Sequence, residues 1–161
     1  MEVVDVVQKC INLMEAIYYA QQDARAYRMH CHDITRIVCK LWPTIVEAHQ
    51  RNPNLSAAGG AEEIFETLKT ELESALMVVN KCCALTQFDK LLDQGQTKRT
   101  LTMIRENLFM CAREAYTYTM RVCPPRARRR SASSSSGRHP EIPSSVAAEP
   151  SIGLIRFADP Q

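Results

Sequence analysis

From Leu101 to Val122 the apolar residues Leu101, Ile104, Leu108, Cys111, Ala115, Tyr118 and Val122 follow one another at steps of 3, 4, 3, 4, 3 and 4. A strand would need alternation at every second residue, whereas this rhythm lines one side of a helix with apolar side chains. Such a helix is stable only against other helices or a sheet that covers the stripe. The rest of the chain supplies the helices. From Val3 the positions Val3, Val6, Val7, Cys10, Leu13, Met14, Ile17 and Ala20 recur at helical spacing, with Glu2, Asp5, Gln8, Lys9 and Glu15 between them. This predicts an amphipathic helix of about five to six turns. A second run passes through Tyr27, Cys31, Ile34, Val38, Leu41 and Ile45, with Pro43 expected to kink or restart it.

Arg51 to Gly60, "RNPNLSAAGG", reads as a loop. A third helix is predicted from about Ala61 to Cys83, with Glu62, Glu63 and Glu66 in its first turns, where acids suit the positive end of the helix dipole. Its stripe is Phe65, Leu68, Leu72, Ala75, Leu76, Val79 and Cys82 or Cys83. "TQFD" at Thr86 to Asp89 has the form of a capping box opening a short helix that stops at Gly95. The last long helix runs from Lys98 to Val122, where Cys123, Pro124 and Pro125 end it. The expected fold is all-α: an up-down four-helix bundle over residues 1–123, with a short extra helix before the last long one. Residues 124–161 are expected to form a disordered Arg/Ser/Pro-rich tail with too little apolar surface to order itself, except for Ile152 to Phe157, which reads as a short β-prone adhesive run or as the entry to a further domain.

Chemistry-bearing motifs are scarce. Phosphate-binding loops, HExxH and CxxC patterns do not occur, and five glycines offer little material for a loop that cradles phosphate. The cluster His30, Cys31 and His32, with Cys39 further along, diverges around a helix instead of converging on one ion. No cofactor, metal or catalytic residue is expected, and the protein is read as no enzyme. Seven scattered cysteines, an odd number, suggest reduced thiols inside a cell. No apolar run approaches the ~18 residues that span a bilayer.

Charge is unevenly distributed. Up to Cys123 the chain has 14 Lys and Arg against 15 Asp and Glu, whereas the tail has 6 Arg against 3 acids. "RARRRSAS" places Arg126, Arg128, Arg129 and Arg130 beside the helix end and Ser131 and Ser133 directly after them. Arginines three residues before serines suit basophilic kinases. The segment reads either as a solvated linker with incidental arginines or as an electrostatic switch, in which the four arginines hold an anionic surface and phosphates on Ser131 and Ser133 release it. Nucleic acid is not expected as a partner, since stacking aromatics and a basic helix face are missing from this segment.

Several stretches together carry a family resemblance: "RIVCKLWPTIVEA" (Arg36 to Ala48), "LKTELESALMVVNKC" (Leu68 to Cys82), "FDKLLDQGQTKRTL" (Phe88 to Leu101) and "RENLFMCAREAY" (Arg105 to Tyr116). In their helix order and spacing they resemble the N-terminal four-helix domain of mixed lineage kinase domain-like proteins, related to the HeLo-type cell-death domains. Adaptor bundles of the Cbl type are similar at the same level. The resemblance implies a signalling module that self-associates and binds anionic, phosphoinositide-bearing membranes in cell death or immune signalling. It would reside in the cytoplasm or peripherally at the plasma membrane. The first helix (Val3, Val6, Val7, Cys10, Leu13 and Met14) would serve as the oligomerising or inserting face, and Arg126, Arg128, Arg129 and Arg130 as the lipid contact. The alternative is a soluble adaptor that binds a signalling kinase or receptor-pathway protein.

Overall fold

The computed structural model of the chain describes residues 5–57 and 59–126. Within them lie α1 (Val6–Ala20), a 3-10 turn (Gln21–Asp23), α2 (Arg28–Arg51), α3 (Ala61–Ala84), α4 (Gln87–Leu92) and α5 (Gln96–Val122). The fold is all-α, with no strand among the described residues. The expected tail, with Ile152 to Phe157, lies outside them.

α1 is shorter than its apolar rhythm suggests. Asp5 takes the N-cap position and its carboxylate accepts the Val7 amide at 3.2 Å, so the helix starts at Val6 and runs for 15 residues, about four turns. α2 passes through Pro43 without restarting. Both Pro43 and Cys39, whose carbonyl loses its donor, lie on the exposed side, where water can take the place of the missing amide. The Thr86–Asp89 capping box forms as expected, with the Thr86 hydroxyl accepting the Asp89 amide and Asp89 accepting the Thr86 amide. α4 nevertheless stops at Leu92, and Gly95 instead takes a left-handed φ of 77° as the N-cap of α5.

Side-chain bonds fix how the long helices pair. The Cys10 thiol donates to the Phe65 carbonyl at 3.4 Å and the Cys83 thiol to the Ala20 carbonyl at 3.2 Å, so α1 and α3 run parallel, start beside start and end beside end. His49 Nδ1 lies 3.4 Å from the Asp5 carboxylate, which sets α2 antiparallel to α1. Arg105 meets Asp33 at 3.8 Å, placing the early turns of α5 and α2 side by side, again parallel. Around the bundle the order is α1, α3, α5, α2, while the consecutive helices α2 and α3 sit diagonally and barely touch. The connection 52–60 makes that diagonal crossing possible. It is pinned by the buried Leu55, whose carbonyl accepts the Tyr118 hydroxyl at 3.2 Å, and by the Ser56 hydroxyl, which donates to Asp5 at 3.0 Å.

The core draws on all four long helices. Val7, Cys10, Met14 and Ile17 of α1 pack with Phe65, Leu68, Leu72, Ala75 and Val79 of α3, and with the inner stripes of α2 and α5. On α5 the buried positions are Thr97, Leu101, Ile104, Leu108, Ala112, Ala115, Tyr118 and Thr119. The strict heptad therefore drifts off the core. Cys111 is half-buried, Val122 is 39% exposed, and Ala112 and Thr119 replace them inside. A straight helix of 3.6 residues per turn rotates ~20° per heptad against a 3.5-residue repeat, enough over three heptads to carry the last position to the surface.

The end where α2 and α5 begin is held by Asp93. Its carboxylate accepts the Thr97 hydroxyl at 2.8 Å, the Thr97 amide at 2.9 Å and the Tyr27 hydroxyl at 3.0 Å. Tyr27 itself sits at a left-handed φ of 51°, a conformation that a bulky residue keeps only when its surroundings hold it there. The Thr97 bonds, hydroxyl first and then amide, hold Asp93 below the ordinary carboxylate range, and the Thr86 bonds do the same for Asp89. A depressed folded-state pKa contributes stability that is complete above the unfolded value, near pH 4, and is lost as pH falls through the folded value. Urea midpoints measured from neutral to acidic pH should therefore be flat to about pH 4 and fall below it. Asp93→Asn should start from a lower midpoint at neutral pH and fall less steeply; a variant curve parallel to the parent would remove this account.

Candidate functional site

The side chains not used by the core segregate by charge. α2 carries four Lys or Arg against two acids and α5 carries five against two, whereas α3 has two against five. The near-neutral total up to Cys123 therefore conceals a basic side and an acidic one. On the acidic helix Glu66 pairs within its own turn with Lys69 at 2.6 Å.

Between the parallel helices α2 and α5 lies an open groove of about 620 Å³. From α2 it takes Asp33, Arg36, Ile37, Lys40 and Leu41, and from α5 Arg105, Phe109, Ala112, Arg113 and Tyr116. Both sets step along one side of their helix at three- and four-residue intervals. The floor is apolar, formed by Ile37, Leu41 and the small Ala112, whose short side chain leaves the hollow between the larger residues unfilled. Phe109 and Tyr116, 54% and 44% exposed, stand one turn to either side of Ala112. Four cations and one carboxylate surround this floor, and the carboxylate, Asp33, already faces Arg105. Three cations, Arg36, Lys40 and Arg113, remain for an outside ligand. Basic groups around exposed aromatic faces suit an anion carried on an apolar or amphiphilic body.

Toward the end of α5 the groove leads into a second hollow of about 250 Å³, bounded in part by Pro43, Arg51, Tyr116, Met120 and Pro125. There Arg51 donates to the Pro124 carbonyl at 2.8 Å and faces Glu47 at 3.6 Å, fastening the chain as it leaves α5. Arg126 follows and is exposed.

Val7, Cys10 and Met14 are inside the core, and Val6 and Leu13 are half-buried against it. Val7, Cys10 and Met14 reach a membrane or another copy only if the bundle opens. Burial, reinforced by the nearby Glu66, pushes the Cys10 thiol up to about 12, in keeping with a packing role. Val3, Arg128, Arg129, Arg130, Ser131 and Ser133 lie outside the described residues. Cys31 is buried, with its thiol raised by the hydrogen bond with Cys82 and by burial, while His32 and Cys39 are exposed.

The groove itself escaped the sequence reading. Arg36 and Lys40 are visible as an i,i+4 cationic pair, and Arg105 and Arg113 as cations flanking Phe109, yet nothing local says that α2 and α5 are neighbours. No family model matches the chain, and no curated protein or solved structure does. Among the described residues no helix is long and apolar enough to cross a membrane.

Proposed function

We propose that the chain is a non-catalytic signalling module, a four-helix bundle that acts by binding anionic membrane surfaces and by self-association in regulated cell death or immune signalling. The resemblance to the N-terminal domain of mixed lineage kinase domain-like proteins suggests the setting. The observation that carries the reading is the α2/α5 groove, where Arg36, Lys40 and Arg113 surround the exposed Phe109 and Tyr116. An anionic headgroup satisfies the cations, and the aromatic rings suit the half-polar layer just beneath it. Arg126 and the arginines that follow it in the sequence would add to the same attraction, so the protein would sit in the cytoplasm and peripherally at the plasma membrane. Phosphates on Ser131 and Ser133 would weaken the hold.

A second reading has its own support. The groove is concave, and an acidic segment of a signalling kinase or receptor-pathway protein could seat an apolar side chain over Ala112. One experiment separates the two. The full chain is sedimented with phosphatidylcholine vesicles with and without phosphatidylserine or phosphoinositide, at low and high salt, beside Arg36→Ala/Arg113→Ala and Arg126→Ala/Arg128→Ala/Arg129→Ala/Arg130→Ala variants. Binding that needs the anionic lipid, weakens with salt and drops about tenfold or more in the groove variant is expected, since each basic residue at an anionic surface contributes ~1 kcal/mol. Absence of binding at low salt would discard the membrane reading and leave the adaptor.

A further inference from the structure

At the end of the bundle where α2 and α5 begin, α4 projects three large apolar side chains into solvent. Phe88 is 69% exposed, Leu91 79% and Leu92 65%, and α4 buries none of its residues. Their spacing, i, i+3 and i+4, puts them on one side of the short helix. A soluble protein exposes single apolar residues routinely, but three adjacent ones on a tip call for a covering surface. Side chains this exposed form a convex knob; Leu92 also borders an open, mainly polar hollow with Asp89, Asp93 and Arg99, which offers no apolar socket, so a soft phase that moulds around the knob fits the three side chains better than a preformed pocket.

The knob is also held firmly. The Thr86–Asp89 box fixes its start, Asp93 ties its end to Thr97 and Tyr27, and Lys90 lies over the Tyr27 ring at 5.2 Å. Rigid presentation reduces the entropy lost on insertion. Lys98 and Arg99 stand exposed in the first turn of α5 just behind it. Between Lys81 and Arg99 four basic residues outnumber two acids. An apolar tip with a basic collar is the two-part arrangement by which proteins hold an anionic interface without spanning it.

We propose that α4 is a membrane wedge: Phe88, Leu91 and Leu92 enter the boundary between headgroups and acyl chains of an anionic bilayer, with Lys98 and Arg99 against the headgroups. This rests on the membrane reading above and adds an apolar anchor to its charges. The wedge acts at the interface and leaves the bundle core intact, so binding does not require α1 to leave its partners.

The test uses the full chain and vesicles of phosphatidylcholine with phosphatidylserine. Leu91→Ser/Leu92→Ser should bind them at least tenfold more weakly while keeping the parent's dependence on salt and on the groove arginines. Both positions are exposed, so folding should be unaffected. In a Trp42→Phe background, Leu91→Trp fluorescence should shift to the blue on vesicle addition and be quenched by lipids with brominated acyl chains. Met77→Trp, 69% exposed on α3, should show neither change. Parent-like binding by the serine variant, or an unshifted Trp at 91, overturns the wedge even if charge-dependent binding persists. Failure of the parent itself to bind overturns the membrane reading, and the wedge with it.

Discussion

Phe65→Ala should lower the unfolding free energy by about 3–5 kcal/mol, the range for removing a fully buried aromatic ring. Phe65 has no exposed surface, and its ring meets Tyr118 edge-on with centroids 6.1 Å apart. Its backbone carbonyl accepts the Cys10 thiol, so the residue stands where α1, α3 and α5 converge. Alanine would leave a cavity that three helices cannot collapse to fill, because Cys10 and Tyr118 are held in place by their own bonds. Domains of this size have about 5–15 kcal/mol in total, so the loss is a large fraction of stability. Urea unfolding followed by circular dichroism would read it as a lower midpoint at unchanged slope. Phe88→Ala makes the contrast: 69% exposed on α4, its removal should shift stability in water by no more than about 0.5 kcal/mol. Equal effects at the two positions would contradict the packing described here.

Leu55→Ala should cost about 2–5 kcal/mol, unusually much for a residue in a connecting loop. Leu55 is fully buried and its carbonyl takes the Tyr118 hydroxyl, while the next residue, Ser56, donates to the α1 cap Asp5. The connection 52–60 is therefore a strap across the end of the bundle, joining α1, α2 and α5. Losing its apolar anchor should also speed amide exchange at residues 54–57, with Asp5 and Tyr118 as the next groups to loosen. A change under about 0.5 kcal/mol would mean that the strap carries no load and that Leu55 is covered only incidentally.

These two positions mark the limits of what local pattern can reveal. Phe65 was readable, because it begins the 65, 68, 72, 75, 79 stripe of α3, and that stripe is inside the bundle. Leu55 was not, because one leucine among Asn, Pro, Ser, Ala and Gly has no periodicity to declare its side. The Thr86–Asp89 box was readable from four residues, since both of its bonds are local. The start of α1 is not legible in the apolar spacing, since Val3 and Val6 carry it across Asp5, and only the carboxylate's bond to the Val7 amide places the boundary. At the other end of the chain, a heptad read to Val122 overran the core for the geometric reason that 3.6 is not 3.5.

The candidate site divides in the same way. Each cation of the groove is plain in the sequence, but the groove is a relation between α2 and α5, two helices that are separated in the chain by α3 and α4 and lie side by side in space. Counting charge over the whole bundle averaged the basic α2/α5 side with the acidic α3 and hid both. The residues first singled out in α1 owe their regular spacing to core packing, and burial uses the same apolar stripe that a contact face would need.

By itself, then, the sequence determined that this chain forms helices, roughly where they start and stop, and which stripe of α1, α3 and most of α5 turns inward. Those properties follow from interactions between residues three or four apart, which the order of residues states directly. The pairing of α1 with α3 and of α2 with α5, the strap at Leu55, and the gathering of cations from two helices around Phe109 and Tyr116 come from how the helices pack. Those are choices among ways of burying the same stripes, settled by how particular side chains fit and by a connection long enough to cross the bundle.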